Sequence, residues 1–170
     1  MIILFLKHQW PSTFSFIVCF VIYLLTLCPT VYVEGSGELI GAVHTLGIPH
    51  PTGYPLFTLI GRLFSAFLPF DSVAYRVNIA SSFLAALSVA ALAAFLRGRG
   101  CHSWASVGGA LAFAFSTTFW SNAVVAEVYG LSLLGVVAMV AFSIRTPVVQ
   151  DTRGVLLAAY AIGISMTTHL

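Results

Sequence analysis

Tyr54-Pro-Leu-Phe-Thr-Leu-Ile-Gly-Arg62-Leu-Phe-Ser-Ala-Phe-Leu-Pro69-Phe70 is the stretch on which the reading of this chain turns. It is apolar but short, it carries Arg62, and it ends at Pro69-Phe70-Asp71. Crossing a hydrocarbon core of ~30 Å takes about 20 residues. Other apolar stretches run at roughly 14–33, 73–96, 103–120, 124–144 and 154–170. If 54–70 also crossed, Arg97, Arg99, Arg145 and Arg153 would face outside, away from Lys7. If it lies on the outer surface, those five cations share the cytoplasmic side and only Arg62 and Arg76 remain outside. Positive charge is retained on the cytoplasmic side, which favours the second arrangement. The expectation is an all-α, polytopic membrane bundle of about five transmembrane helices, with 54–68 as an interfacial helix. Pro55 suits the first turn of that helix.

Composition agrees. The chain of 170 residues is 59% hydrophobic and only 7% charged, whereas a soluble domain is about a quarter charged. A net charge of +2 with no basic run gives no reason to expect nucleic acid. Cys19, Cys28 and Cys101 form no Cys-x-x-Cys pair, so neither a disulfide framework nor a zinc site is expected. Lys7 and His8 before the apolar run imitate a signal peptide, but Leu25-Thr-Leu-Cys-Pro29 is no cleavage site, and the segment reads as a retained first span.

This topology gathers Glu34, Glu38, His44, His50, Arg62, Arg76, Trp120, Asn122, Glu127 and His169 at the outer face. Acids placed at a membrane edge are functional suspects. With Gly35 or Ser36 as N-cap, a short helix is expected from Gly37 to Leu46, with Leu39, Val43 and Leu46 on one face. Glu38 would sit in its first turn, where the helix dipole favours an anion. Spacing alone leaves open whether Glu38 is a general base or a plain helix-terminal charge. Glu34 and Glu38 are close enough to share a substrate hydroxyl or a cation, but no His-x-x-x-His or Asp-x-Asp pattern specifies a metal. His50-Pro-Thr-Gly-Tyr54-Pro is a stiff turn that would hold His50 in one place. Arg62 and Arg76 match a phosphate as well as they match headgroups or Asp71. Glu127 stands at the head of the apolar 124–144 stretch, and His169 closes the last span at the same level. Ala80-Ser-Ser82, Ala85-Ala86, Ala90-Ala91 and Gly108-Gly-Ala110 read as helix-packing positions.

Four blocks occur in order: Gly35-Ser-Gly-Glu38-Leu-Ile, His44-Thr-Leu-Gly-Ile-Pro-His50-Pro-Thr-Gly-Tyr54-Pro-Leu-Phe, Ala126-Glu-Val-Tyr129 and Gly163-Ile-Ser-Met-Thr-Thr-His169. From about residue 14 onward the chain resembles the N-terminal part of the membrane family that includes the transmembrane O-mannosyltransferase of plexin-type receptors and its bacterial relatives. The His-Pro-Thr-Gly-Tyr-Pro-Leu block is the most specific. That family is similar to the GT-C glycosyltransferases. The resemblance implies many spans, surface helices in the first outside loop and an acidic residue there near the catalytic centre. It also implies a sugar, mannose, carried on a polyprenyl phosphate and moved to a protein or lipid hydroxyl on the non-cytoplasmic side. The compartment would be the endoplasmic reticulum in a eukaryote and the inner membrane in a bacterium. The family pattern reads Asp-Ser-Gly-Glu; here Gly35 stands at the aspartate, with Glu34 one residue upstream, and Glu38 matches the glutamate. The resemblance therefore points to Glu38 first and Glu34 second as catalytic carboxylates. His50, Tyr54, Arg62, Arg76, Glu127 and His169 become substrate-binding candidates. The whole of 1–170 reads as a single membrane domain, the N-terminal part of a larger one. A transporter and a non-catalytic scaffold are the rival readings. Clustering of polar groups at one face, instead of at mid-membrane depth, counts against the transporter.

Overall fold

The structure is a computed structural model that describes residues 2–33, 35–51, 53–145 and 152–168. Among them are eight helices and no strand. They are α1 (Ile2–Leu25), α2 (Ser36–Thr45), α3 (Pro55–Phe67), α4 (Val73–Gly98), α5 (Ser103–Ala114), α6 (Thr117–Ala123), α7 (Tyr129–Arg145) and α8 (Thr152–Ser165). Among the described residues, α4 alone is long and apolar enough to cross a membrane by length and composition. The apolar stretches of α3, α5, α7 and α8 run to 17 residues or fewer.

The α4 helix is the spine of the fold, with α1, α3, α5 and α7 packed around it. Asn78, Ser81 and Ser82 lie at i, i+3 and i+4, hence on one helical face, and all three are buried. Asn78 Nδ2 donates to the carbonyls of Cys28 (2.8 Å) and Thr30 (3.0 Å). Ser82 Oγ donates to the Ala123 carbonyl at 2.8 Å. Ser81 Oγ accepts from the Glu127 N–H at 3.1 Å and donates to the Glu127 carbonyl at 3.3 Å. These polar groups satisfy backbone that has left helical geometry, and burial makes such pairing obligatory. The sequence reading of Ser81 and Ser82 as packing residues alone missed that function. Where α4 meets α7, small residues do bring the backbones together: a Cβ on Gly130 would lie 2.8 Å from both Cα and N of Ala85.

Four expected boundaries are corrected. The first span was expected at 14–33. The helix ends at Leu25, and 26–33 is non-helical, because Cys28 precedes Pro29 and is pushed to extended geometry, with Asn78 taking up the freed carbonyls. The stretch 103–120 is two helices broken at Phe115-Ser116, where the Ser116 hydroxyl bonds back to the Phe113 carbonyl at 2.8 Å. The 124–144 stretch becomes helical only at Tyr129, so Glu127 lies in the α6–α7 connection and not on a helix. The last helix ends at Ser165, short of residue 170.

The short helices match their expectations closely. Gly35 is the N-cap of α2, Glu38 sits in the first turn, and Pro55 occupies the first turn of α3. The apolar face of α2 is covered by protein: Leu39, Ile40 and Val43 join Tyr54, Phe57 and Val77 in one core cluster. Leu46 leaves that face, being half-exposed and left-handed at the helix C-cap. The α3 helix buries Phe57 together with the small or polar Thr58, Gly61 and Ser65, while Leu59 (57%), Leu63 (55%) and Phe67 (79%) are exposed at i, i+4 and i+8. Arg62 and Arg76 both close helix ends. Arg62 Nη1 donates to the His44 carbonyl at the end of α2 (2.9 Å). Arg76 Nη1 donates to the Ser65 (2.7 Å) and Leu68 (3.0 Å) carbonyls at the end of α3. Unpaired carbonyls at a helix C-terminus favour such cations.

Candidate functional site

The turn between α2 and α3 brings three of the singled-out side chains into one hydrogen-bonded line. The Gly53 N–H donates to the His50 carbonyl at 2.9 Å and closes the turn. Gly53 has φ +89°, a conformation only glycine adopts without penalty. The Glu38 carboxylate holds His50 twice, with Oε1 accepting from the His50 backbone N–H at 2.6 Å and Oε2 meeting Nδ1 at 2.8 Å. On the other side of the ring, Nε2 meets the Tyr54 hydroxyl at 2.9 Å, and the same hydroxyl lies 3.3 Å from the Pro51 carbonyl. The two hydrogen bonds from His50 hold the Glu38 carboxyl below its ordinary range, so it is an anion at neutral pH. A carboxylate at Oε2 fixes the proton of a neutral imidazole on Nδ1, which leaves the Nε2 lone pair facing the phenol.

Tyr54 is held with φ 42° and ψ 48°, a left-handed backbone that costs a bulky residue roughly 1–3 kcal/mol. Its ring is buried in the α2–α3–α4 core cluster, and the burial together with the phenol–imidazole bond maintains that conformation. Beside the line lies a small pocket of about 100 Å³, walled by Gly35, Leu39, His50, Tyr54, Glu127, Val128 and Tyr129. With ~30 Å³ per water, it accommodates a hydroxyl group and the few atoms that carry it.

Of the sequence candidates, Glu38, His50 and Tyr54 form the line, and Glu127 reaches the same pocket from the α6–α7 connection. Arg62 and Arg76 do not wall the pocket. They bond the carbonyls described above, which leaves part of each five-donor guanidinium uncommitted. Glu34 and His169 lie outside the described residues. No group of three or more His, Cys, Asp or Glu side chains suited to a metal occurs among the described residues. The sequence reading gave neither Tyr129 nor Ser81 a role at a site. Tyr129 walls the pocket, and Ser81 anchors the Glu127 backbone. The legible signal for Ser81 was a polar residue facing the interior of an otherwise apolar span.

Residues 35–170, which hold this pocket and line, match the family described as the N-terminal domain of protein O-mannosyl-transferase TMEM260. The chain belongs to that family. The TMEM260 N-terminal domain match begins at Gly35, the N-cap of α2. The chain is 37% identical to the mouse protein O-mannosyl-transferase TMEM260 over 153 residues, which is 85% of this chain and 21% of the mouse protein. It is 33% identical to the Dictyostelium discoideum protein O-mannosyl-transferase tmem260 over 129 residues, 75% of this chain and 16% of that protein. The chain thus spans about a fifth of the length of the TMEM260 relatives it matches. No solved structure gives a significant match.

Proposed function

We propose that this chain is the site-bearing N-terminal part of a membrane-embedded O-mannosyltransferase of GT-C type. It would take mannose from a polyprenyl-phosphate carrier and pass it to a hydroxyl of a protein or lipid acceptor at the non-cytoplasmic face. The observation that carries this reading is the anionic Glu38–His50–Tyr54 line beside a hydroxyl-sized pocket, in a chain whose relatives are named protein O-mannosyl-transferases. Glu38 supplies the negative charge that draws off the acceptor proton, and Glu34 is the second candidate for that role. The bond from the acceptor oxygen to the sugar carbon forms as the bond from that carbon to the phosphate oxygen breaks. The electron pair leaves with the carrier phosphate. Arg62 and Arg76, together with a protonated His50, offset the charge on that phosphate. Tyr54, Glu127 and His169 bind the sugar or acceptor.

In this reading α1, α4, the α5–α6 pair, α7 and α8 cross the bilayer, and α2 and α3 lie at its outer edge. The exposed Leu59, Leu63 and Phe67 stripe suits a hydrocarbon neighbour. A groove of about 620 Å³ between α3, α4, α7 and α8, walled almost wholly by apolar side chains such as Leu56, Ile60, Leu87 and Leu131, suits the carrier lipid. The test is an assay of the protein at its full natural length in sealed vesicles, with labelled mannose on a polyprenyl phosphate and a serine-containing peptide. Transfer to peptide presented on the non-cytoplasmic face is expected. Binding of the donor with no covalent product at either face would refute the reading.

A further inference from the structure

The line of hydrogen bonds raises a question of access, because both ring nitrogens of His50 are already engaged. Nδ1 is held by Glu38 Oε2 at 2.8 Å and Nε2 by the Tyr54 hydroxyl at 2.9 Å. Both Glu38 oxygens are in turn turned onto His50, and Glu38 is not among the residues that wall the pocket, whereas His50 and Tyr54 are. A hydroxyl in the pocket therefore has no open nitrogen of His50 to meet and no exposed carboxylate edge of Glu38 in the wall. The phenol is the group through which it reaches them.

We infer that Tyr54 is a catalytic residue, a proton relay between the acceptor hydroxyl and the His50–Glu38 pair. This rests on the transferase reading above. The acceptor O–H donates to Tyr54 Oη while the Tyr54 O–H donates to His50 Nε2. As the acceptor oxygen bonds the sugar carbon, its proton moves to Oη and the original Tyr54 proton moves to Nε2. The phenol ends neutral and His50 ends as an imidazolium against the Glu38 carboxylate. The electron pair of the broken carbon–oxygen bond leaves on the carrier phosphate. The second bond distance of the Tyr54 hydroxyl fits this cycle. When Nε2 has become a donor, the phenol turns its own O–H to the Pro51 carbonyl, 3.3 Å away, so both charge states of His50 find a satisfied partner. The left-handed backbone at Tyr54 belongs with this role, since strained dihedrals persist where the surroundings over-determine a side-chain position.

The charged and titratable groups facing the imidazole are Glu38 from α2, Tyr54 at the head of α3, and Glu127 and Tyr129 across the pocket. The test uses the full natural-length protein in membranes, polyprenyl-phosphate mannose and a serine peptide. Tyr54→Phe keeps the ring and removes only the hydroxyl, so retained donor KM reports a folded site. The expected result is a kcat reduced about 100-fold or more with donor KM unchanged. A second variant tests whether the pair acts as a unit. Glu38→Gln should lower kcat with donor KM unchanged, and adding Tyr54→Phe to it should cost little more, because groups in one relay are non-additive. Tyr54→Phe at full kcat, a Tyr54→Phe loss confined to donor KM, or two losses that multiply in the double variant would each overturn the relay while leaving transferase activity standing. Absence of transfer by the unaltered protein would overturn the transferase reading, and the relay with it.

Discussion

On the transferase proposal, Glu38→Gln in the full natural-length protein is expected to reduce mannose transfer by roughly 10²- to 10⁴-fold, with the protein still folded and donor still bound. The magnitude follows from the geometry of two hydrogen bonds. A carboxylate accepts at both oxygens, and His50 donates to both, once from the backbone and once from Nδ1. A carboxamide keeps one acceptor and presents an N–H to the other position. The imidazole then turns its lone pair to Nδ1 and its proton to Nε2, which reverses the polarity of the bond to Tyr54. The ring stays in place but can no longer take a proton from the phenol side. Stability changes little by comparison, since Glu38 is half-exposed and the charge it loses is that of a solvated first-turn acid. Steady-state transfer assays together with thermal unfolding of the same preparations separate the two effects. Unfolding at much lower temperature, with activity lost in proportion, would assign Glu38 to structure instead.

Gly130→Ala is the substitution with the largest expected cost to folding. Its Cβ would lie 2.8 Å from Ala85 Cα and N, which are backbone atoms of the α4 spine and have no rotamer to change. The α4–α7 crossing has to open, at a cost of about 1–3 kcal/mol for overpacking, partly offset by the better helix propensity of alanine, ~1 kcal/mol. Opening this crossing also shifts the start of α7 and with it Tyr129 and Glu127, which wall the pocket. Gly108→Ala is the control. Nothing stands within 4 Å of its Cβ position, so propensity acts alone and stability is unchanged or slightly raised. Unfolding temperatures of the two variants in detergent should move in opposite directions. Equal shifts would mean that α4 and α7 do not cross as closely as described.

The parts of this molecule that announced themselves in sequence are those governed by local rules. Pro55 marked the start of α3, Gly35-Ser36 the start of α2, and the scarcity of charge the helical apolar class. The Glu38–His50–Tyr54 cluster was legible as three separate suspects but not as a line. The turn that joins them depends on Gly53 at φ +89° and Tyr54 at φ 42°, and neither value follows from residue type. The errors share one cause. Continuous hydrophobicity at 14–33, 103–120 and 124–144 reads as continuous helix. The structure breaks each stretch, and side chains distant in sequence take up freed backbone groups at 26–33 and 124–128, as Asn78 does for Cys28 and Ser81 for Glu127. Pro29 marks the first of these breaks, and the polar triplet at 78, 81 and 82 inside an apolar run marks the side chains that take up freed backbone, but it names no partner.

A transfer site at the α2–α3 turn depends most on His50, the residue bonded to both Glu38 and Tyr54. The most direct test is a single-turnover assay of full natural-length protein and its His50→Gln variant in the same membrane preparation. Both would be loaded with labelled polyprenyl-phosphate mannose and then mixed with serine peptide. Both proteins are expected to retain donor, the unaltered protein to pass label to peptide, and His50→Gln to pass about 1% or less in the same time. Equal labelling of peptide by the two proteins would contradict that dependence.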